Sequence, residues 1–142
     1  VSIEEPEVYT GDRYAHGVAN YVTHPGLEYF VLEESWVLGI EVRPGVVELE
    51  VDLAYAVDHP ERRAPHEGEY AYFRRGTIRF VGVSSVAWKH MDRTPATDAS
   101  GVSDWGNIET FEWAGTTFDL EGDFGAMKIE ARSLDVLLTG PE

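Results

Sequence analysis

The chain contains no cysteine. Disulfides, thiolate metal sites and cysteine nucleophiles are thereby excluded together. Lysine is scarce as well: of eleven basic residues nine are arginine, and only Lys89 and Lys128 are lysine. Long apolar runs are missing, because charge interrupts the hydrophobic segments every few residues, and none approaches the roughly 20 residues of a membrane-spanning helix. The opening residues Val1-Ser2-Ile3-Glu4-Glu5-Pro6-Glu7 have neither the basic nor the apolar region of a secretory signal, so the default expectation is a cytoplasmic location. No Gly-x-Ser-x-Gly elbow, His-Glu-x-x-His pair or phosphate-cradling glycine loop occurs. Gly122-Asp123-Phe124-Gly125 shares letters with a kinase element, but a chain of 142 residues holds none of the other parts a kinase needs. No repeat of fixed length is present, which argues against a propeller or solenoid.

What the chain has in excess is negative charge. Twenty-six Asp and Glu face 11 Lys and Arg, for a net charge of −15. Such a surface repels phosphate backbones and anionic head groups, so nucleic-acid and membrane partners are disfavoured and basic partners or cations are favoured. Charge of this size also keeps a small protein soluble, and the low lysine content fits salt adaptation or a GC-rich genome equally. Aromatic residues are plentiful, with six Phe, seven Tyr and four Trp, and they favour strands and supply large buried area.

The length fits one domain. Residues 1–25 show no sustained period and read as an irregular arm packed on a single β domain formed by residues 26–142. Leu27, Phe30 and Val31 fall at helical spacing, which allows at most one short helix over about 26–34, with a strand start as the nearly equal reading. From Ser35 the signals are β. Residues 35–42 run into the turn Arg43-Pro44-Gly45. In residues 46–57, Val47, Leu49, Val51, Leu53, Tyr55 and Val57 alternate with Glu48, Glu50, Asp52, Ala54 and Ala56, the pattern of a strand with one face on the core. Residues 58–68 and 91–104 read as loops. Hairpins are expected around Arg75-Gly76, between 69–75 and 77–83, and around Ala114-Gly115, between 107–113 and 116–121. Strands over 86–90, 126–132 and 134–138 complete eight or nine short strands. The fold class is therefore all-β and mainly antiparallel, a sandwich or open barrel.

Three groups of residues could carry function. Glu48, Glu50 and Asp52 form a like-charged stripe on one strand face. Their repulsion calls for cross-strand arginines, with Arg74, Arg75 and Arg79 as candidates. The stripe is then either a solvated ladder of ion pairs or the face a basic protein partner recognises. Trp36, Tyr72, Trp88 and Trp113 could line a pocket for a small ligand, which leaves room for enzymatic activity. For a divalent cation, the sequence offers His59 and His66 in one acidic loop and Asp98 and Asp104 in another. Neither loop follows a known ligand spacing, no catalytic pair stands out among 26 carboxylates, and no cofactor signature is present. Trp105, between two turn residues, is expected to plug the end of the core. The strand edge near residues 134–138 could support a homodimer, against a monomer otherwise.

The run Asp98-Ala99-Ser100-Gly101, then Asp104-Trp105-Gly106-Asn107-Ile108-Glu109, then Gly122-Asp123-Phe124-Gly125, resembles small uncharacterised bacterial β-rich proteins. Those pair a D-W/Y-G-N-I-D/E turn with a later G-D-W/F-G turn. His59-Pro60 ahead of an aromatic strand at residues 70–73 is similar to them too. The likeness spans residues 35–138, with Glu109 standing where Asp is usual. It implies a β fold and no known activity, so it supplies no catalytic residues. The expectation for function is a non-enzymatic binding protein that presents an acidic face to a basic partner. The alternative is a β pocket for a small ligand or divalent cation.

Overall fold

Strict alternation in a strand puts every second side chain on one side of a sheet. Val47, Leu49, Val51, Leu53 and Tyr55 are all buried as that rule requires. The computed structural model describes residues 19–60, 62–65, 67–69, 71–89, 96–97 and 103–140. Its strands are β1 (Ala19–Asn20), β2 (Phe30–Arg43), β3 (Val46–Tyr55), β4 (Phe73–Val81), β5 (Ser85–Lys89), β6 (Ala96–Thr97), β7 (Ser103–Asp104), β8 (Ile108–Ala114), β9 (Thr117–Gly122), β10 (Gly125–Glu130) and β11 (Ser133–Leu138). They build a five-stranded sheet ordered β1-β8-β9-β10-β5 and a four-stranded sheet ordered β11-β4-β3-β2, with β6 and β7 as a separate small ladder. Among the described residues all the pairings are antiparallel and neither sheet closes on itself.

The two large sheets meet face to face through aromatic rings. Phe80 of β4 lies 5.2 Å from Phe118 of β9 and 6.2 Å from Phe111 of β8, centroid to centroid. Ile78 and Leu134 on one sheet and Leu120, Met127 and Ile129 on the other complete the filling. Trp105 packs against this core half-buried, at its end. Residues 19–25 belong to the same body, since β1 pairs with β8 and Tyr21 is buried in the core.

Several sequence expectations need correction. Of the two readings for 26–34 the strand start holds and no helix forms there. Leu27 is buried in a turn region, and Phe30 already begins β2, where Phe30 and Leu32 point inward with a period of two. The single helical turn among the described residues is a 3-10 turn at Tyr21–Thr23, capped by the Asn20 side chain accepting from Val22 N–H. Val57 lies beyond the end of β3 and is 83% exposed. Arg75-Gly76 is not a hairpin turn: β4 runs straight through it. Gly76 is there because β11 and Leu53 press on it. A Cβ at this position would sit 2.9 Å from the Leu137 carbonyl and 3.0 Å from Leu53 Cδ1. The loop expected over 91–104 contains β6 and β7, two residues each.

β2 carries the fold's main irregularity. Its register against β3 slips between Val31 and Trp36, and again between Val37 and Gly39. Inside the first bulge the buried Ser35 hydroxyl donates to Val31 O at 2.8 Å and accepts from Ala54 N–H at 2.9 Å. A side chain thus replaces a backbone partner lost to the bulge. The Tyr21 hydroxyl accepts from Leu32 N–H at 3.0 Å and donates to Glu33 at 2.5 Å. Burial, and then the bond to Glu33, push the Tyr21 phenol above its ordinary range, so it stays a donor. Past the bulge, Val37 exchanges backbone hydrogen bonds at 2.8 Å with Gly106 and Trp105, which ties the four-stranded sheet to the start of β8.

Candidate functional site: the acidic face of the four-stranded sheet

Directly opposed residues of antiparallel strands share a face. The registers of β2, β3, β4 and β11 therefore define the outer surface of the four-stranded sheet row by row. One row reads Asp135, Arg79, Glu48, Glu41. The next reads Leu137, Thr77, Glu50, Gly39, and the third carries Arg75, Asp52 and Trp36. The predicted stripe Glu48-Glu50-Asp52 thus sits in mid-sheet, flanked by the arginines its repulsion called for. Arg79 Nε donates to Glu48 at 2.6 Å, and Arg75 reaches Glu50 at 3.2 Å. Arg43, which sequence reasoning did not select, adds a second guanidinium to Glu48 at 3.1 Å. Arg74 does not join: its Nε donates to the Gly140 carbonyl.

The pairing is uneven. Glu48 takes two arginines, Glu41 lies only within 3.8 Å of Arg43, and the Asp52 side chain makes no hydrogen bond or ion pair among the described residues. Burial raises the pKa of Asp52 above the ordinary carboxylate value; Arg75 opposes the shift and Glu69 adds to it. Asp52 is therefore a half-desolvated carboxylate with too little compensation. Beside it the surface is concave. Gly39 has no side chain, and the second bulge of β2 sets it opposite Glu50. The result is an open groove of about 390 Å³ lined by Gly39, Ile40, Glu41, Glu48, Glu50 and Thr77. Its signal in the sequence was weak: a lone glycine in a β-run, two residues before Glu41.

The four aromatic residues considered as a pocket lining are not brought together. Trp36 lies on the outer face next to Asp52. Tyr72 is buried in contact with Tyr55. Trp88 donates from its indole to the Phe124 carbonyl and packs near Trp105. Trp113 donates to Thr23 Oγ1 and meets the edge of His24 at 4.6 Å. Of the cation candidates, His66 and Asp98 lie outside the described residues, and Asp104 is described only as part of β7. His59 stacks on Tyr55 at 4.1 Å and touches Tyr29 and Phe30, an aromatic setting at one end of the sandwich. Among the described residues no group of three His, Asp or Glu is placed to hold a metal, and no helix is long and apolar enough to cross a membrane.

The two turn motifs lock together. A side chain at Gly106 would collide with Asp123, and one at Gly122 would collide with the Asn107 carbonyl. Each glycine thus makes room for part of the other turn, and Ile108 pairs with Gly122 across the junction. These motifs have a packing reason that needs no chemistry. Comparison with protein-family models, curated proteins and solved structures returns no match.

Proposed function

We propose that the protein is a binding module whose outer face on the four-stranded sheet receives a positively charged protein partner. One observation carries this reading. Glu41, Glu48 and Glu50 line a groove, with Asp52 in the next row of the same face, while the local arginines satisfy them unevenly and leave Asp52 half-desolvated with only partial compensation from Arg75. A cation laid on this face would complete the pairing, and the net charge of −15 would steer it there.

The test is calorimetry with a lysine-rich oligopeptide at low and physiological salt. The parent is compared with the triple variant Glu41→Gln/Glu50→Gln/Asp52→Asn, and with a control of equal charge change, Glu28→Gln/Glu109→Gln/Glu121→Gln. The reading expects the face variant to weaken binding by about tenfold or more, and the control by much less, with the difference shrinking as salt screens it. Equal losses in both variants would reduce the effect to bulk charge and overturn the assignment of the face.

A further inference from the structure

Resting on that reading, we propose that the basic partner is taken as an extended strand added to the open edge of β2 between Leu38 and Arg43. The edge of β2 has two halves. The N-terminal half is covered, since Val37 exchanges both its outward backbone bonds with Gly106 and Trp105, and Trp36 is bridged to Asn107. Beyond Val37, β2 is the outermost strand of its sheet among the described residues.

The phase of the ladder shows which backbone groups there have no partner among the described residues. Pro44 and Gly45, with φ of 80° at the glycine, form a two-residue connection, so Arg43 and Val46 are the first hydrogen-bonded pair. Bonded pairs alternate, and Glu41 with Glu48 and Gly39 with Glu50 follow. Ile40 and Val42 therefore turn their N–H and C=O groups away from β3, towards the edge. They are the template that strand addition uses.

The side chains define what would fit. On an added strand, residues opposite Gly39 and Glu41 fall on the acidic outer face, beside Glu50 and Glu48. Residues opposite Ile40 and Val42 fall on the apolar side, where Val42 is 47% exposed. The guest must alternate basic and apolar residues. The groove left by Gly39 has room for the aliphatic stem of a lysine or arginine whose charge reaches Glu50. Arg43 repels a cation at the turn end, which sets the register so that basic residues oppose Gly39 and Glu41. Edge strands are commonly blunted by charge and proline. Here Glu41, Arg43 and Pro44 do so against apolar strands while leaving a basic one welcome.

The probe is a capped heptapeptide of alternating lysine and valine. It is compared with the same peptide N-methylated on the amides of one edge, and with a block sequence of equal composition. Affinity is read by calorimetry, and the Ile40 and Val42 amides by hydrogen exchange on the intact protein. Strand addition expects only the unmodified alternating peptide to slow exchange at Ile40 and Val42, by about tenfold or more. N-methylation should weaken binding about tenfold, the loss of one or two net hydrogen bonds. Val42→Pro, which removes an edge-facing N–H outside the β3 ladder, should do the same. Suppose instead that all three peptides bind alike, Ile40 and Val42 exchange unchanged, and the Glu41/Glu50/Asp52 variant still weakens binding. Strand addition is then overturned while the acidic-face reading stands. Binding indifferent to those three carboxylates overturns both. Protection of Ile40 and Val42 that rises with protein concentration alone assigns the edge to a second copy and overturns the proposal.

Discussion

The two faces of β3 are built from neighbouring residues and obey different physics. On the inner face Leu49 and Val51 are wholly buried, and their contribution comes from area removed from water and close packing. On the outer face Glu48 and Glu50 stand one residue away in ion pairs that water reaches on one side. The exposed Arg75–Glu50 pair contributes little to stability, and the half-buried Glu48 pairs contribute more than it does but less than the core. The inner face therefore sets whether the chain folds, and the outer face is free to be shaped for recognition.

Leu49→Ala against Glu48→Gln is the sharpest way to break that comparison. The leucine variant should lose about 2–5 kcal/mol, because a cavity adds to the lost transfer energy. The glutamine variant should lose about 1 kcal/mol, well below the leucine variant, although it disturbs two arginine contacts. Urea unfolding of both measures the contrast, and similar losses would contradict the division of labour. Next in size is Ser35→Ala. It leaves the buried Ala54 N–H without its partner in the β2 bulge and should cost about 1–3 kcal/mol. A loss this large from removing one oxygen would mark the bulge as part of the inner, fold-determining set.

The smallest expected effect has the opposite sign. Folding raises the pKa of Asp52, so the folded state holds that proton to a higher pH than the unfolded chain. Stability contributed by this group is full below the ordinary Asp value of about 3.9 and falls as pH rises through the folded value. Asp52→Asn should therefore be more stable than the parent at pH 7 and converge with it below about pH 3.9. The same variant should bind a lysine-rich peptide less well. Thermal melts across pH, paired with calorimetry, test both halves. A parent more stable than the variant at neutral pH would remove the argument that this carboxylate is held against its own preference.

Much of this fold was legible in advance where side-chain period and turn chemistry agree. The alternation from Val47 to Tyr55, the Pro44-Gly45 turn and the hairpin at Ala114-Gly115 all reappear in the strands. The failures are places where a tertiary contact overrides a local signal. Gly76 looks like a turn residue but answers to Leu137 and Leu53, which are distant in sequence. Leu27, Phe30 and Val31 share helical spacing by coincidence, since Leu27 reaches the core from a turn and Phe30 from a strand. In the candidate site, the stripe and two of its arginines followed from cross-strand charge balance. The groove did not, because it depends on a bulge that shifts Gly39 opposite Glu50, and no period announces a bulge.

The locked glycines at 106 and 122 have a consequence for how this chain varies over descent. The two turns are one mechanical part written in two places, and neither half has a local substitute. Enlarging either glycine would force the opposite turn aside, so the two sites should be inherited as a pair, and a lineage that lost one would be expected to rebuild the other. Two short words at a steady separation would then outlast the acidic residues of the outer face, which share no such mutual constraint.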